Sequence, residues 1–236
     1  MTEKISIGWQ KQPNKLNIQG EIEKAIQNIT REQVNLIGSG RTDAGVNAFG
    51  QVANFKIDSN FPIEKMATAI NSQLKKSICI KKAEEVPEEF HSRYNCHSKT
   101  YNYIIDNSEQ GTAIYRNLSY HISKKLNVEK MQKAISCLIG EHDFSSFKSS
   151  GTSSKSSVRT IYDAKVEKDG EKVIISLTGN GFLYNMVRII SGTLVEVGLE
   201  SIEPEDVYKI LNAKNRQMAG KTLPPQGLFL MNVEYN

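Results

Sequence analysis

Cysteine is scarce in this chain. Cys79, Cys96 and Cys137 are the only three in 236 residues. They are odd in number and none lies close to another, so no disulfide framework is expected and a reducing cytoplasm fits best. No segment has the plan of a signal peptide, and no long apolar run occurs, so neither export nor a membrane span is expected. Zinc spacing is missing as well: His91, Cys96 and His97 lie near one another but lack a second ligand pair. A phosphate cradle fails for want of a lysine. Gly40 and Gly45 have the P-loop spacing, yet Val46 and Asn47 follow where Lys and Ser/Thr are required. A dinucleotide fingerprint fails too, because the third glycine comes too late after Gly40. A strong charge of one sign is absent. Thirty Lys and Arg against 26 Asp and Glu leave +4, which permits a polyanionic partner without demanding one. There is no short internal repeat.

What remains is an ordinary globular composition, 39% hydrophobic and 24% charged, long enough for one large or two small domains. Ile22, Ala25, Ile26 and Ile29 recur at helical spacing. Val34 to Ile37, Gln51 to Ile57 and Ile78 to Lys82 read as strands. Pro62 suits the first turn of a helix carrying Ile63, Met66, Ile70 and Leu74. Lys99 to Ile105 alternates, with Tyr101, Tyr103 and Ile105 on one side. Val128, Met131, Ile135 and Leu138 form a helical stripe stopped by Gly140. Val158 to Glu167 and Lys172 to Leu177 flank Lys168-Asp169-Gly170, a hairpin signal. Helices follow over Leu183 to Val197 and Glu203 to Ala213, and a closing strand carries Phe229, Met231, Val233 and Tyr235. This mixture of hairpins and helices predicts an α+β fold with a largely antiparallel sheet. A composition shift near Glu84 to Glu89 predicts a boundary between halves. Ser145 to Ser157, with eight serines in thirteen residues, reads as a mobile basic loop. It serves equally as a surface linker or an RNA contact.

The densest local pattern is "GSGRTDAGVNAFGQVANF", Gly38 to Phe55. Taken by itself, Asp43-Ala44-Gly45 is good turn chemistry, since Asp caps local backbone N–H groups and Gly tolerates positive φ. The stretch as a whole resembles the signature of the tRNA pseudouridine synthase A family, centred on Gly-Arg-Thr-Asp-Ala-Gly-Val. Four further blocks are similar to family blocks and stand in family order: "GWQKQPNKLNIQGEIEKAI", "EEFHSRYNCHSKTYNYII", "GEHDFSSF" and "GNGFLYNMVRIISGTLVEVG". "AGKTLPPQGLFLMNVEY" resembles the family's C-terminal end.

The resemblance implies the pseudouridine synthase fold, with a mixed, largely antiparallel sheet flanked by helices and two similar α/β halves around a catalytic cleft. Residues 1–90 would form the N-terminal half with the aspartate loop, and residues 91–236 the half with the tyrosine and the arginine helix. It implies isomerisation of uridine to pseudouridine at positions 38–40 of the tRNA anticodon stem-loop, by a homodimer, with no metal or organic cofactor. It gives the catalytic carboxylate to Asp43, as a nucleophile at the ribose C1′ or as a group that helps remove a ribose proton towards a glycal. Arg188 matches the arginine expected to pair with that carboxylate, and a neighbouring cation lowers a carboxyl pKa by roughly 1–3. Arg41 is expected to help displace the target base or hold its backbone; read without the family it is a plain phosphate contact. Tyr101 matches the tyrosine that contacts the flipped uridine, whose unstacking costs a few kcal/mol. Without the family both Tyr101 and Tyr103 read as core residues. Lys99, Lys148 and Lys155 are further candidates for phosphate.

The chain also departs from the family pattern. Asn47 stands where His is usual, and Asn102 where Arg is usual, which weakens the expected RNA contact. Only "MTEKISI" precedes Gly8, without the Tyr-Asp-Gly turn of the family, so Ile5 and Ile7 are expected to enter the sheet in a shortened strand and Trp9 to pack near the missing turn. These departures leave a second reading, a catalytically weak paralogue that binds or chaperones structured RNA.

Overall fold

The computed structural model describes residues 8–11, 16–151, 154 and 156–236. The chain forms two compact units, and the shortened strand expected over Ile5 and Ile7 lies outside the described residues. The first unit comprises the chain up to Gly45 together with Gln51–Cys96; the second comprises Val46–Gly50 and His97–Tyr235. Among the described residues, no helix is long and apolar enough to cross a membrane.

The first unit is built on two helices, α1 (Ile18–Thr30) and α2 (Ile63–Gln73). Asn17 caps α1, its Oδ1 accepting the Gly20 N–H at 2.7 Å, and Arg31 closes the helix in the left-handed region at φ 69. Ile22, Ala25 and Ile26 face Met66 and Ile70 of α2 in one apolar cluster, with Trp9 and Leu36. Each fully buried Ile or Met contributes about 1.5–3 kcal/mol. Pro62, expected in the first turn, instead precedes α2 as its N-cap, with φ −60 and ψ 122.

The strands expected in this unit are much shorter than their apolar runs. β1 (Ile37–Gly38) pairs antiparallel with β3 (Ala53–Asn54), two residues each. Ile78 to Lys82 forms no strand. Ile78 and Ile80 still pack on the core, but the Asn71 side chain serves the backbone instead: Ile80 N–H donates to Asn71 Oδ1 at 2.7 Å, and Asn71 Nδ2 donates to the Ile80 carbonyl at 2.8 Å. One amide thus satisfies both polar groups that a neighbouring strand would otherwise pair.

Among the described residues, the second unit carries a seven-stranded sheet. β2 (Asn47–Ala48), β9 (Leu228–Tyr235), β4 (Cys96–Asp106), β8 (Lys172–Gly179), β7 (Val158–Asp169) and β6 (Gly140–Asp143) lie in that order, and β5 (Tyr120–His121) pairs with β4. The long pairs β4–β8, β8–β7 and β7–β6 are antiparallel, whereas β2–β9 and β4–β5 are parallel, so the expected α+β class with a largely antiparallel sheet holds. The β7–β8 hairpin turns through Gly170-Glu171, with Asp169 opposite Lys172 and Gly170 at φ 59. Glycine with positive φ at the first turn position matches the twist of the flanking strands.

Period-two alternation sends Tyr101, Tyr103 and Ile105 to one face, opposite Leu177, Ile175 and Val173 of β8, and all six are buried. Among the described residues, the helices of this unit are α3 (Val128–Ile135), α4 (Met186–Gly198) and α5 (Asp206–Ala213). The stripe read to Leu138 leaves α3 through a 3-10 turn at Ser136–Leu138. α4 is buried almost all round; only Arg188 and Glu196 of its thirteen residues are not.

The serine-rich segment departs from its reading as a surface loop. Ser145–Phe147 is a 3-10 turn with Ser146 and Phe147 fully buried. Ser146 Oγ donates to the Ile210 carbonyl at 2.5 Å and accepts the Asn215 N–H at 2.9 Å, so a hydroxyl is traded for two backbone groups around α5. Composition alone hides this, because a buried serine with both partners looks like any other serine.

Asp106 ends β4 and is 5% exposed. Its Oδ1 accepts the Ser108 hydroxyl at 2.6 Å and N–H at 3.2 Å, and its Oδ2 the Thr112 N–H at 3.0 Å. Burial by itself raises its pKa; the Ser108 and Thr112 bonds and the nearby His121 outweigh that and hold the carboxyl below its ordinary value. A depressed carboxylate contributes stability above the unfolded pKa of about 3.9 and loses it as pH falls through the folded value. Asp106→Asn is therefore expected to cost about 1–3 kcal/mol at pH 7, by turning an acceptor into a donor against N–H groups. Its melting temperature should also fall less steeply than that of the wild type below pH 4. Equal melting curves at pH 7 would refute the role.

Candidate active site

The Asp43 loop is braced from the N-terminal side. Gly8 and Trp9 accept the N–H groups of Ile18 and Gln19, at 3.1 and 3.0 Å, which are orphan donors in the first turn of α1. Trp9 N–H then donates to the Thr42 carbonyl at 3.1 Å, one residue before Asp43. Farther along, Ser39 N–H donates to the Val52 carbonyl at 2.8 Å, Ser39 Oγ to Gln51 Oε1 at 2.6 Å, and Gln51 Nε2 to the Gly40 carbonyl at 2.9 Å. Gly45 ends the loop at φ 84, in the left-handed region that glycine tolerates. The loop's shape is thus set by backbone and neighbouring side chains. Asp43 itself is half-buried and Arg41 is exposed.

Trp9 is 6% exposed and its indole lies on Gly38; a Cβ there would fall 2.5 Å from Cε2. Gly38→Ala is expected to push the indole away and with it the Trp9–Thr42 bond. The cost should be about 1–3 kcal/mol, the usual range for overpacking. Melting curves check it, and an unshifted midpoint would show that the ring adjusts freely. Arg41 and Arg93 line a cavity of about 150 Å³ with Trp9, Gln10 and Gly38. Two arginines in one lining make the cavity's surroundings cationic.

In the second unit, Tyr101 and Tyr103 part company. Tyr103 is fully buried, and its hydroxyl donates to the Pro224 carbonyl at 2.7 Å. Burial pushes that phenol above its ordinary range, with the Arg188 charge pulling the other way. Tyr101 is 7% exposed and meets Phe182 edge-to-face, ring centres 5.1 Å apart. Arg188 is half-buried rather than solvated: Nε donates to the Leu223 carbonyl at 2.6 Å and Nη1 to Asn185 Oδ1 at 2.7 Å. Leu223 N–H returns a bond to the Arg188 carbonyl at 3.3 Å.

Arg41 and Asp43 therefore share one loop of the first unit, while Tyr101 and Arg188 belong to the second. Of the lysines, Lys99 stands in β4 opposite Gly179, Lys148 donates to Ser157 Oγ at 2.6 Å, and Lys155 lies outside the described residues. Asn47 serves the fold, its Nδ2 donating to the Gln226 carbonyl at 3.0 Å. Asn102 lies opposite Ser176, with its Oδ1 buried and without a hydrogen-bond partner among the described residues.

Four positioning residues escape a reading by residue type. Trp9 looks like an isolated aromatic. Asn185, at φ 61, enters α4 in a conformation that Asn tolerates and holds Arg188 three residues on; its signal was the Asn-x-x-Arg spacing. Gly192 and Gly220 show only as glycines, yet a Cβ on Gly192 would fall within 1.9 Å of the Lys221 carbonyl oxygen, and one on Gly220 within 2.7 Å of the Thr193 nitrogen.

Comparison with known proteins covers most of the chain. A family model described as tRNA pseudouridine synthase matches residues 6–95 and 134–236. A tRNA pseudouridine synthase A of Thermoanaerobacter sp. (strain X514) is 50% identical over 228 residues, covering 97% of this chain and 93% of its own length. The protein of that name in Caldicellulosiruptor saccharolyticus is 51% identical with the same coverage. A tRNA pseudouridine synthase A 2 of Clostridium tetani is 50% identical over 231 residues, again covering 97% and 93%. With half its residues shared across almost its full length, the chain belongs to the tRNA pseudouridine synthase family.

Proposed function

We propose that this protein isomerises uridine to pseudouridine in tRNA, at positions 38–40 of the anticodon stem-loop. The observation that carries the reading is the Asp43 loop: Gly-Arg-Thr-Asp-Ala-Gly-Val is present in full, on a loop braced by the Trp9–Thr42 bond and by the bonds of Ser39 and Gln51.

The reaction breaks the C1′–N1 bond, turns the base, forms C1′–C5, and moves the C5 proton so that N1 ends protonated. Asp43 supplies the carboxylate, by attack at C1′ or by taking a ribose proton on the glycal route. Tyr101 offers its ring to the extruded uridine, a contact worth roughly 1–3 kcal/mol per stacked base, which offsets the cost of unstacking. Arg41 helps displace the target base or holds its backbone. Arg188 supplies a guanidinium fixed by Asn185 and Leu223, in the role of cation to the catalytic carboxylate. The same reading makes the protein a homodimer of the cytoplasm that needs neither metal nor organic cofactor.

The test is pseudouridine mapping on a tRNA anticodon stem-loop after incubation with the purified protein in chelator. Product at 38, 39 or 40 is expected. Binding without product would point to the RNA-binding paralogue, and light scattering checks the dimer.

A further inference from the structure

We propose that His97 and Tyr162 form a stacking shelf for an unpaired RNA base next to the uridine that reacts. The RNA comes from the proposed function; the shelf comes from the second unit alone.

Side chains alternate along β4, so His97, Lys99, Tyr101 and Tyr103 share one face of the strand. Exposure rises along that row: Tyr103 is fully buried, Tyr101 nearly so, Lys99 half-buried, and His97 exposed. At about 3.4 Å per residue, Lys99 and His97 stand roughly 7 and 14 Å along the strand from Tyr101. A row of base contact, cation and second ring follows the order of base, phosphate and neighbouring base in a single strand.

The second ring of the shelf comes from a defect in β7. Ile161 lies opposite Gly179 and Asp163 opposite Thr178, which leaves Tyr162 as the extra residue of a bulge. A bulged residue leaves the ladder and its side chain is re-aimed. Tyr162 is 46% exposed, and its ring lies nearly parallel to that of His97, 8° between planes and 5.7 Å between centres. Two parallel rings at the surface form a layer on which a third flat ring stacks, whatever the base, because every base has a π-face. The surroundings suit a polyanion. Arg159 lies against Gly181, and its guanidinium is held by Ser154 and by the Ser156 and Val158 carbonyls. The adjacent acid, Asp163, is paired with Lys165 at 3.1 Å.

The experiment uses the whole protein and an anticodon stem-loop with 2-aminopurine beside the target uridine, at constant salt, because affinity for RNA depends on salt. The double substitution His97→Ala/Tyr162→Ala should raise KM and the dissociation constant about fivefold to tenfold and abolish the quenching of the probe. The rate at saturating RNA and the melting temperature should hold. Tyr162→Phe and His97→Phe, which keep the rings, should behave as wild type, and Tyr162→Leu should behave as the alanine form. Unchanged KM and quenching in the double variant would overturn the shelf, as would phenylalanine forms as weak as alanine. A double variant that becomes monomeric would assign the surface to a second copy of the chain instead. If the wild type makes no pseudouridine, the proposed function fails. Quenching of a single-stranded 2-aminopurine oligonucleotide, present in wild type and lost in the double variant, would then decide the shelf separately.

Discussion

Replacing Asp43 with asparagine should stop pseudouridine formation while leaving a folded protein that still binds tRNA. The amide has the size of the carboxylate but neither its charge nor its basicity. It cannot form an ester at C1′ or take a ribose proton, so both routes are closed. The expected loss is about ten-thousand-fold or more in turnover, the scale seen when an enzyme loses its nucleophile. Stability should change by no more than about 1 kcal/mol, as for substitutions outside the core. The loop's backbone is held by the Trp9–Thr42 bond, by the bonds of Ser39 and Gln51, and by Gly45, none of which uses the Asp43 side chain. The measurement is single-turnover pseudouridine formation, with a melting curve and a binding isotherm on the same preparation. A variant that turns over at a comparable rate would make Asp43 a turn residue, which is what Asp-Ala-Gly suggests when read without its neighbours.

The second large effect should come from a residue with no side chain. Gly192 lies in the buried helix α4, and an added methyl there would meet the Lys221 backbone oxygen at 1.9 Å. No rotamer relieves a clash with backbone, so residues 219–223 must move away from the helix. That segment is joined to α4 by the Gly220 N–H, which donates to Thr193 Oγ1 at 2.9 Å, and by the reciprocal bonds between Arg188 and Leu223. Gly192→Ala should therefore cost about 3 kcal/mol or more, at the upper end for overpacking. Whatever folds should also lose activity, because the Leu223 carbonyl no longer fixes the Arg188 guanidinium. Denaturant unfolding and a kcat measurement on the folded fraction read the two effects. Near-wild-type stability would mean that the segment can shift without strain.

Periodicity and local chemistry made several elements legible before any coordinates. α1 follows from Ile22, Ala25 and Ile26 at helical spacing, and the β7–β8 hairpin from alternation around Gly170. The alternation of Tyr101, Tyr103 and Ile105 places all three on the buried face of β4. These signals are local, since the residues that create them are also those that form the element. The aspartate loop was legible in another way, as a run of residue types that only a family resemblance turned into chemistry.

Tertiary structure alone decided the rest. Whether an apolar run becomes a strand depends on a partner for its backbone, and at Ile80 the side chain of Asn71 took the partner's place. Tyr101 and Tyr103 carry the same signal in sequence and both are buried, and the bond from the Tyr103 hydroxyl to the Pro224 carbonyl shows only in the structure. Arg188 reads as an edge residue of a helix until Asn185 and Leu223 are seen to hold it. The weight carried by Gly38 and Gly192 was invisible for a plain reason. A glycine's role here is the space it leaves, and what fills that space, the Trp9 indole or the Lys221 carbonyl, comes from a distant part of the chain.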